Sequence, residues 1–257
     1  MKISRLAFVA VFAACAGAAF AQNTLTVTGT IRDFLYAGPG IPSGYVAHPD
    51  FEGAITGVVP NMTSSTIVPG GKPVFVGAPG YGAVSSAASF AQWWQNVPGV
   101  NMAANLNLTL TETAPGSGMY QYSSNSFFPI DNQLLGNQGL GHNFHFTFEL
   151  HLTFTYQVGQ TFTFTGDDDL WLYINGKRVI DLGGVHGAAS QSVNLDTLGL
   201  TAGNSYAFDL FFAERHTTQS NFTITTSIQS FVSTIPGPAA VLPFALGFLA
   251  SRRRIRR

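Results

Sequence analysis

Three consecutive aspartates, Asp167 to Asp169, are the strongest chemical signal in this sequence. They separate two strand-like runs within the stretch FTFTGDDDLWLYINGKRVID, residues 162–181. Neighbouring carboxylates repel one another and have raised pKa values unless they are well solvated or a cation lies among them. Carboxylate oxygens are the ligands that Ca²⁺ prefers. The run therefore indicates either a calcium site or a solvated acidic loop.

The Asn175-Gly176 pair predicts the geometry around this run, because both residues tolerate the positive φ of a two-residue hairpin turn. Counting back from the turn, Leu170 faces Asp181. Alternation then places Asp168 and Asp181 on one face in neighbouring rungs. The predicted metal ligands are therefore Asp167, Asp168, Asp169 and Asp181.

Adjacent side chains of an ordinary strand point to opposite faces, so Asp167 and Asp168 could not share one ion in such a strand. A β-bulge or a cis peptide bond would bring the two carboxylates together. The hypothesis of a shared calcium ion thus predicts one of these two irregularities at the aspartate pair.

A second polar group lies in the run NFHFTFELHLTFTY, which contains His145, Glu149 and His151. These three residues share one face of the predicted strand, whereas His142 does not. At about 3.3 Å per residue they lie too far apart for one ion. The simpler prediction is an outward polar face of a sandwich strand.

Two further groups have a structural and a catalytic interpretation. Glu214 and the aspartates could form a hydrolase site, but a buried ion pair of Arg215 with Glu214 or an aspartate is the simpler interpretation. Trp93 and Trp94 could stack on a sugar, although such pairs are more often part of a core. Nucleophile-elbow, phosphate-loop and dinucleotide motifs are absent from the sequence.

The elements that position these residues are almost all strands. Apolar residues alternate from Phe144 to Tyr156 without interruption, and shorter runs elsewhere show the same period of two, which is typical of half-buried strands. Only residues 85–97 predict a short helix, with Ser85 or Ser86 as its N-cap and Pro98 after it. Gly and Pro turns are dense from Gly38 to Gly82. We predict an all-β antiparallel β-sandwich with a loop-rich N-terminal third.

Both ends of the chain predict processing. Residues 1–21 have a basic start, an apolar run and a small-x-small site, which is typical of a signal peptide. Residues 232–257 combine a Pro-Gly-Pro turn, an apolar stretch and five arginines. Cys15 is the only cysteine, so a mature chain would have no disulfide bond.

The remaining body has 13 acidic and 5 basic residues, a net charge of −8. An acidic body argues against a nucleic acid partner and is compatible with divalent cations. Hydrophobic residues are 46% of the chain and charged residues only 10%, which excludes a disordered composition.

The sequence resembles known families in two places. The stretch GDDDLWLYINGKRVIDLGGVHG is similar to the signature of the protective-antigen-type (PA-fourteen) β-sandwich. Together with HPDFE, FFPID and LFFAERHTTQSNFTITTSI, it resembles the bacterial and slime-mould fibro-slime domain over residues 22–231. The C-terminal segment resembles the PEP-CTERM sorting signal of Gram-negative bacteria, without the usual glutamate.

These resemblances imply a function as well as a fold. In related adhesins an Asp-Asp pair joined by a cis peptide binds Ca²⁺, which contacts sugar hydroxyls, and the matching pair here is Asp167-Asp168. Asp169 stands where that family often has glycine. The expected ligand-binding residues, which lie in the matching motifs, are Asp167, Asp168, His186, Glu214 and Asn221.

We therefore expect a non-enzymatic, calcium-binding protein that is secreted or held at the surface or in the extracellular matrix of a Gram-negative bacterium. Its expected partners are an extracellular glycan or polysaccharide, a signal peptidase and an exosortase-type enzyme, with transient membrane anchoring through the C-terminal segment. A purely structural matrix component and a secreted glycoside hydrolase are the alternatives.

Overall fold

The computed structural model describes residues 22–233. The predicted signal peptide and nearly all of the predicted sorting segment lie outside them. Within the described range the elements are the strands β1 to β11 and one α-helix, α1. Their bounds are β1 Thr24–Phe34, α1 Ala87–Gln92, β2 Asn101–Glu112, β3 Tyr120–Ser124, β4 Phe146–Thr155, β5 Thr161–Gly166, β6 Asp169–Ile174, β7 Lys177–Leu182, β8 Ala189–Asn194, β9 Ser205–Glu214, β10 Phe222–Thr226 and β11 Val232–Ser233. Short 3₁₀ turns occur at Tyr81–Ala83 and Leu195–Leu198.

The strands form one antiparallel sheet that nearly closes on itself. Their order is β7-β6-β9-β4-β1-β2-β3-β10-β5-β8, and β11 pairs with β4. The two ends of this order meet where the Asp181 backbone N–H on β7 donates to the Gln191 side chain on β8, at 2.9 Å. The predicted all-β antiparallel fold is confirmed, in a form between a sandwich and a barrel.

The inside of the sheet holds the main core. The alternating apolar residues of β4, such as Phe148 and Leu150, pack there against Phe212 of β9 and Phe222 of β10. Because the side chains of a strand alternate between faces, the same strands send their remaining residues outward. The predicted alternation of β4 is thus confirmed.

The loop-rich segment between β1 and β2, residues 35–100, covers part of the outer surface. Its aromatic residues pack with Trp171 of β6 and Phe211 of β9 in a second buried cluster. Trp93 and Trp94 are fully buried there, so they belong to a core and not to a sugar-stacking platform. Ser86, one of the two predicted N-caps, caps α1 and exchanges hydrogen bonds with Ser89, and the helix ends at Gln92, earlier than predicted.

The β6–β7 hairpin differs from the predicted register. Ile174 faces Lys177 as expected, but a bulge between Leu172 and Tyr173 shifts the pairing, so that Leu170 faces Leu182. Because the side-chain period of a strand is two, a one-residue shift moves each side chain to the other face. Asp181 therefore faces Trp171, on the outer side of the sheet.

No helix in residues 22–233 is long and apolar enough to cross a membrane.

Candidate functional site

The aspartate pair lies at one end of the sheet, where β5 ends at Gly166 and β6 begins at Asp169. The peptide bond between Asp167 and Asp168 is cis, one of the two geometries that the calcium hypothesis predicts. Both residues line the same cavity. The structure therefore brings these two predicted ligands together.

Asp167 is held by the segment that leads into β10. The backbone N–H of Asn221 donates to its Oδ1, and the side-chain amide of Asn221 donates to its Oδ2 at 2.8 Å. The predicted ligand-binding residue Asn221 is thus next to the pair. Asp167 contacts the amide nitrogen of the Asn221 side chain and not its amide oxygen.

Asp168 is held by the loop between β7 and β8 and by the start of the loop between β9 and β10. The backbone N–H of His186 donates to its Oδ1 at 3.0 Å, and the backbone N–H of Arg215 donates to its Oδ2 at 2.9 Å. Burial raises the pKa of Asp168 to about 7, although the charge of Arg215 and the two backbone hydrogen bonds oppose the rise. The carboxylate is therefore costly to ionise in this position without a further cation.

Asp169 has a different role from the pair. Its Oδ2 accepts a hydrogen bond from Arg215 Nε at 2.6 Å, and its Oδ1 accepts one from the Gly184 N–H at 2.6 Å. Asp169 and Arg215 are both fully buried, and the guanidinium lies over the Trp93 ring at 4.7 Å. The prediction of a buried ion pair between Arg215 and an aspartate is confirmed. The expectation that Asp169 ligates the metal is wrong, because Arg215 already balances its charge and Asp169 does not line the cavity that Asp167 and Asp168 share.

The expectation that Asp181 joins the site is also wrong. The bulge in the hairpin turns its side chain to the outer face, where Oδ1 accepts a hydrogen bond from Trp171 Nε1 at 3.1 Å. Its Oδ2 accepts one from the Asn61 N–H at 2.8 Å and pairs with Arg178 at 3.0 Å. Asp181 thus stabilises the loop that covers β7.

Glu214 is the third acidic group beside the pair. It is completely buried, and neither of its carboxyl oxygens has a hydrogen-bond partner within the described structure. The nearby Ser220 hydroxyl donates instead to the Phe127 carbonyl at 2.8 Å. Burial, and next the negative charges of Asp168 and Asp167, raise the pKa of Glu214 well above its usual range. The end of the sheet that carries Asp167, Asp168 and Glu214 thus has more carboxyl groups than positive charges, since Arg215 pairs with Asp169.

The cavity beside the pair has a volume of about 160 Å³. Asp167, Asp168 and His186 form its polar side, Ile55 and Val185 its apolar side, and residues 216–219 a further wall. The Ile55 side chain is 72% exposed at this rim. Glu214 does not line the cavity, so a ligand in it would meet the two aspartates but not Glu214.

Glu52, which sequence reasoning did not identify, anchors the wall formed by residues 216–219. Its Oε1 accepts a hydrogen bond from the Thr217 N–H at 2.8 Å and contacts His145 Nε2 at 3.1 Å. Burial alone would raise the pKa of Glu52, but the hydrogen bonds from His145 and Thr217 together with the nearby His216 lower it to about 2. The signal was present in the sequence, because Glu52 ends the motif HPDFE.

The polar residues along β4 lie on its outward face, as predicted, but they are buried. His145, Glu149 and His151 point outward from the sheet, but the N-terminal loops bury them. Lys72 and Arg32 pair with Glu149 at 2.5 and 3.0 Å, and His151 Nδ1 contacts Asp209 at 2.7 Å. They form a charge network and do not surround an ion.

No three His, Cys, Asp or Glu side chains in residues 22–233 are arranged to hold a metal ion. The predicted set of four aspartates is therefore not assembled. A cation at this end of the sheet would have to complete its shell from the Asp167–Asp168 pair, neutral oxygens, water and a ligand.

The chain is similar in sequence to several known proteins. Residues 115–234 match the sequence model of the PA14 domain. Proteins psiQ, psiR and psiD of Dictyostelium discoideum are 42%, 39% and 38% identical to 67%, 80% and 89% of this chain. The chain spans only 19%, 21% and 47% of the length of these relatives.

Two solved structures are similar to this chain at low sequence identity. The PA14 domain of the MpAFP antifreeze protein is 14% identical with a TM-score of 0.30, over 45% of this chain and 71% of that one. The PA14 sugar-binding domain of an RTX adhesin is 11% identical with a TM-score of 0.30, over 80% of this chain and 94% of that one. Over residues 115–234 the chain is thus similar in sequence to PA14 domains, and its own fold is an all-β antiparallel sheet.

Proposed function

We propose that this chain is a non-enzymatic, extracellular or surface-located binding domain of the adhesin type, which binds a carbohydrate through a Ca²⁺ ion held by Asp167 and Asp168. The observation that carries the proposal is the cavity beside the pair. Two adjacent carboxylates line it, a third carboxyl group is buried nearby, and the side chain of Arg215 pairs with Asp169 and donates to backbone carbonyls.

The chemistry of this oxygen set suits calcium. Asp167 and Asp168 offer lone pairs beyond those used by the Asn221, His186 and Arg215 donors, since each carboxylate can accept about four hydrogen bonds. Ca²⁺ takes 6–8 oxygen ligands, including carbonyls, water and hydroxyls. A bound cation would supply the positive charge that these buried carboxylates lack, and it would leave coordination positions for sugar hydroxyls.

The chain's own residues would shape the sugar pocket. Asn221, His186 and Arg215 orient the two carboxylates by backbone donors from two loops, the one between β7 and β8 and the one between β9 and β10. Ile55 and Val185 offer an apolar side to a sugar ring, and residues 216–219 offer polar groups.

A hydrolase is disfavoured by the same geometry. A glycosidase needs two carboxyl groups about 5–10 Å apart across a cleft that the substrate enters. Glu214 is buried and does not reach the cavity, so it cannot meet a substrate there. A purely structural role of Ca²⁺, without a glycan, is the alternative, because all four oxygens of the pair already fasten loops of the fold.

The fibro-slime assignment and the processed ends remain part of the proposal. The relatives described above come from a eukaryote, and so they do not support a Gram-negative source. The exported location rests on the terminal segments together with the adhesin-type fold.

The test is the melting temperature of the 22–233 domain with Ca²⁺ and with EDTA. A ligand that binds only the folded state stabilises it by about 2.7 kcal/mol at a hundredfold excess over Kd. We expect Asp168→Asn and Asp167→Asn to lose this response. Asp181→Asn is the matched control, because it removes the same charge from the same hairpin without touching the cavity.

A glycan array with and without EDTA then separates the two roles of calcium. Glycan binding that disappears with EDTA and in Asp168→Asn supports the proposal. A calcium response without any glycan binding leaves the structural alternative, and equal melting of Asp168→Asn and the parent protein at every Ca²⁺ concentration refutes the calcium site.

A further inference from the structure

The part of the sheet that the N-terminal loops leave open has an outer face without charged side chains. Six neighbouring strands, β1, β2, β3, β10, β5 and β8, turn every second side chain to solvent there. One row crosses all six strands in register: Thr24, Thr111, Gln121, Thr225, Thr163 and Ser192. We call this face the hydroxyl array.

A second row lies beside the first. It contains Ser123, Thr223, Thr165 and Ser190 in register, and Thr26 faces Thr109 at its other end. Neighbouring strands are about 4.8 Å apart, and alternate residues of one strand are about 6.7 Å apart. The hydroxyl and amide groups therefore form a two-dimensional array with regular spacing.

The array carries neither charge nor an apolar patch. As far as Thr30 on β1, the outward side chains of these strands are Thr, Ser, Asn or Gln, with Ala103 as the exception. All 18 charged residues of the body, 13 acidic and 5 basic, lie elsewhere. A surface without charge has no electrostatic preference for an ionic polymer, and a surface without aromatic rings cannot stack on single sugars.

Contacts between the strands orient these groups in advance. Thr163 and Ser192 hydroxyls lie 2.7 Å apart, Ser123 and Thr223 hydroxyls 2.8 Å apart, and Thr26 and Thr109 hydroxyls 3.0 Å apart. A hydroxyl has one donor and two acceptor positions, so each member keeps hydrogen-bonding capacity for a partner. Fixed side chains lose less conformational entropy when they bind.

These properties fit a neutral, repeating, hydroxyl-rich partner. A second copy of the chain is less suitable, since stable protein interfaces contain a hydrophobic centre and this face has none. A long uncharged glycan presents hydroxyls along its whole length, and many weak contacts on one rigid surface add up through effective concentration. We propose that the hydroxyl array binds a neutral polysaccharide by hydrogen bonds, independently of Ca²⁺ and of the aspartate cavity.

The experiment measures sedimentation of the 22–233 domain with particles of three insoluble neutral glucans, namely cellulose, curdlan and amylose, in EDTA. Every protein in this experiment also carries Asp168→Asn, so the result does not depend on whether the aspartate pair binds calcium. Thr163→Lys/Thr225→Lys places two charges at the centre of the array. Val158→Lys/Thr201→Lys adds the same charges at exposed positions outside it.

We expect binding to at least one glucan, an apparent affinity at least tenfold lower in Thr163→Lys/Thr225→Lys, and no change in Val158→Lys/Thr201→Lys. Circular dichroism checks that each variant is folded, and Thr225→Asn, which keeps an uncharged hydrogen-bonding group, should retain binding within about threefold.

Three results would overturn the proposal. They are the absence of binding to all three glucans, equal binding by the array variant, and stronger binding of the parent domain to anionic alginate than to any neutral glucan. A parent domain that dimerises, with loss of the dimer in the array variant and no glucan binding, would assign the face to a second copy.

Discussion

The outer surface of the sheet has two halves that handle polar groups in opposite ways. Over β4, β6 and β9 the N-terminal loops bury the outward residues, including Asp169, Glu149 and Thr147. Over β3, β10, β5 and β8, over β1 as far as Thr30 and over β2 from Ala103 onward, the outward residues remain in contact with water. Under the N-terminal loops, which we call the cover, buried charges have specific partners, as Asp169 has Arg215. The uncovered part of the sheet, which we call the open half, has no charged side chain on its outer face.

The difference follows from the cost of desolvation. A buried charge without a partner is strongly unfavourable, so residues under the cover need partners at defined positions. An exposed hydroxyl can exchange a protein partner for water at little cost. The covered half is therefore expected to be sensitive to single substitutions, and the open half tolerant.

The largest effect is expected for Arg215→Met. This change leaves Asp169 fully buried without its counter-ion and also removes the donors to the Gly82 and Ala83 carbonyls. Loss of one partner of a buried pair costs about 3–5 kcal/mol. Urea denaturation should show this decrease in the free energy of unfolding.

The double variant Asp169→Asn/Arg215→Met is the control, because it removes both charges and should recover part of the loss. If the free energy of unfolding of Arg215→Met decreases by less than about 1 kcal/mol, the Asp169–Arg215 pair does not hold the N-terminal loops to the sheet.

A pH dependence of about 3 kcal/mol at most is expected from Glu149. Burial would raise its pKa, but the His151 hydrogen bond and the charges of Arg32 and Lys72 lower it from 4.5 to about 2. Because the folded pKa is depressed, this contribution is present above about pH 4.5 and is lost as the pH falls through about 2. Unfolding of Glu149→Gln, measured from pH 2 to 6, should therefore depend less steeply on pH than that of the parent protein.

Thr163→Ser is a suitable control on the open half, since it should leave the pH profile unchanged. If Glu149→Gln shows the same acid dependence as the parent protein, the Lys72–Glu149 contact does not hold the loop to the sheet.

The smallest effects compare the same substitution on the two halves. Thr147 is fully buried under the cover and donates to the Trp93 carbonyl at 2.7 Å, whereas Thr163 faces Ser192 at 2.7 Å in contact with solvent. Thr147→Ala should cost about 1–3 kcal/mol, because it leaves a buried carbonyl without its donor. Thr163→Ala should cost about 0.5 kcal/mol or less.

Equal costs for the two threonine variants would contradict the division into a sensitive and a tolerant half.

Much of the fold was predictable from local pattern. The strand of Thr24 to Phe34, the alternation of β4 and the two strands of the hairpin follow from period-two hydrophobicity, since one face of each is buried. β3 and β8 were not predicted, because they are short and their outward residues are Ser, Asn or Gln, which also occur in loops.

Part of the site was predictable as well. The cis peptide bond between Asp167 and Asp168 and the position of Asn221 beside Asp167 agree with expectations from the sequence and its resemblance, whereas metal binding stays a prediction. The role of Asp181 was not predictable, because a bulge moves its side chain to the other face and no local sequence pattern predicts that bulge. The role of Asp169 was not predictable, because its partner Arg215 comes from a distant segment.

What the sequence determined by itself is thus the strand content, the turn at Asn175-Gly176 and the concentration of acid at the end of β5. These depend on residues close together in the chain. Only the tertiary structure decided that Arg215 neutralises Asp169 rather than Glu214, that Glu52 anchors residues 216–219, and that loops cover one half of the sheet and leave the other open. The physical reason is that the partner of a buried charge is chosen by packing between distant segments, whereas strand periodicity is set within each segment.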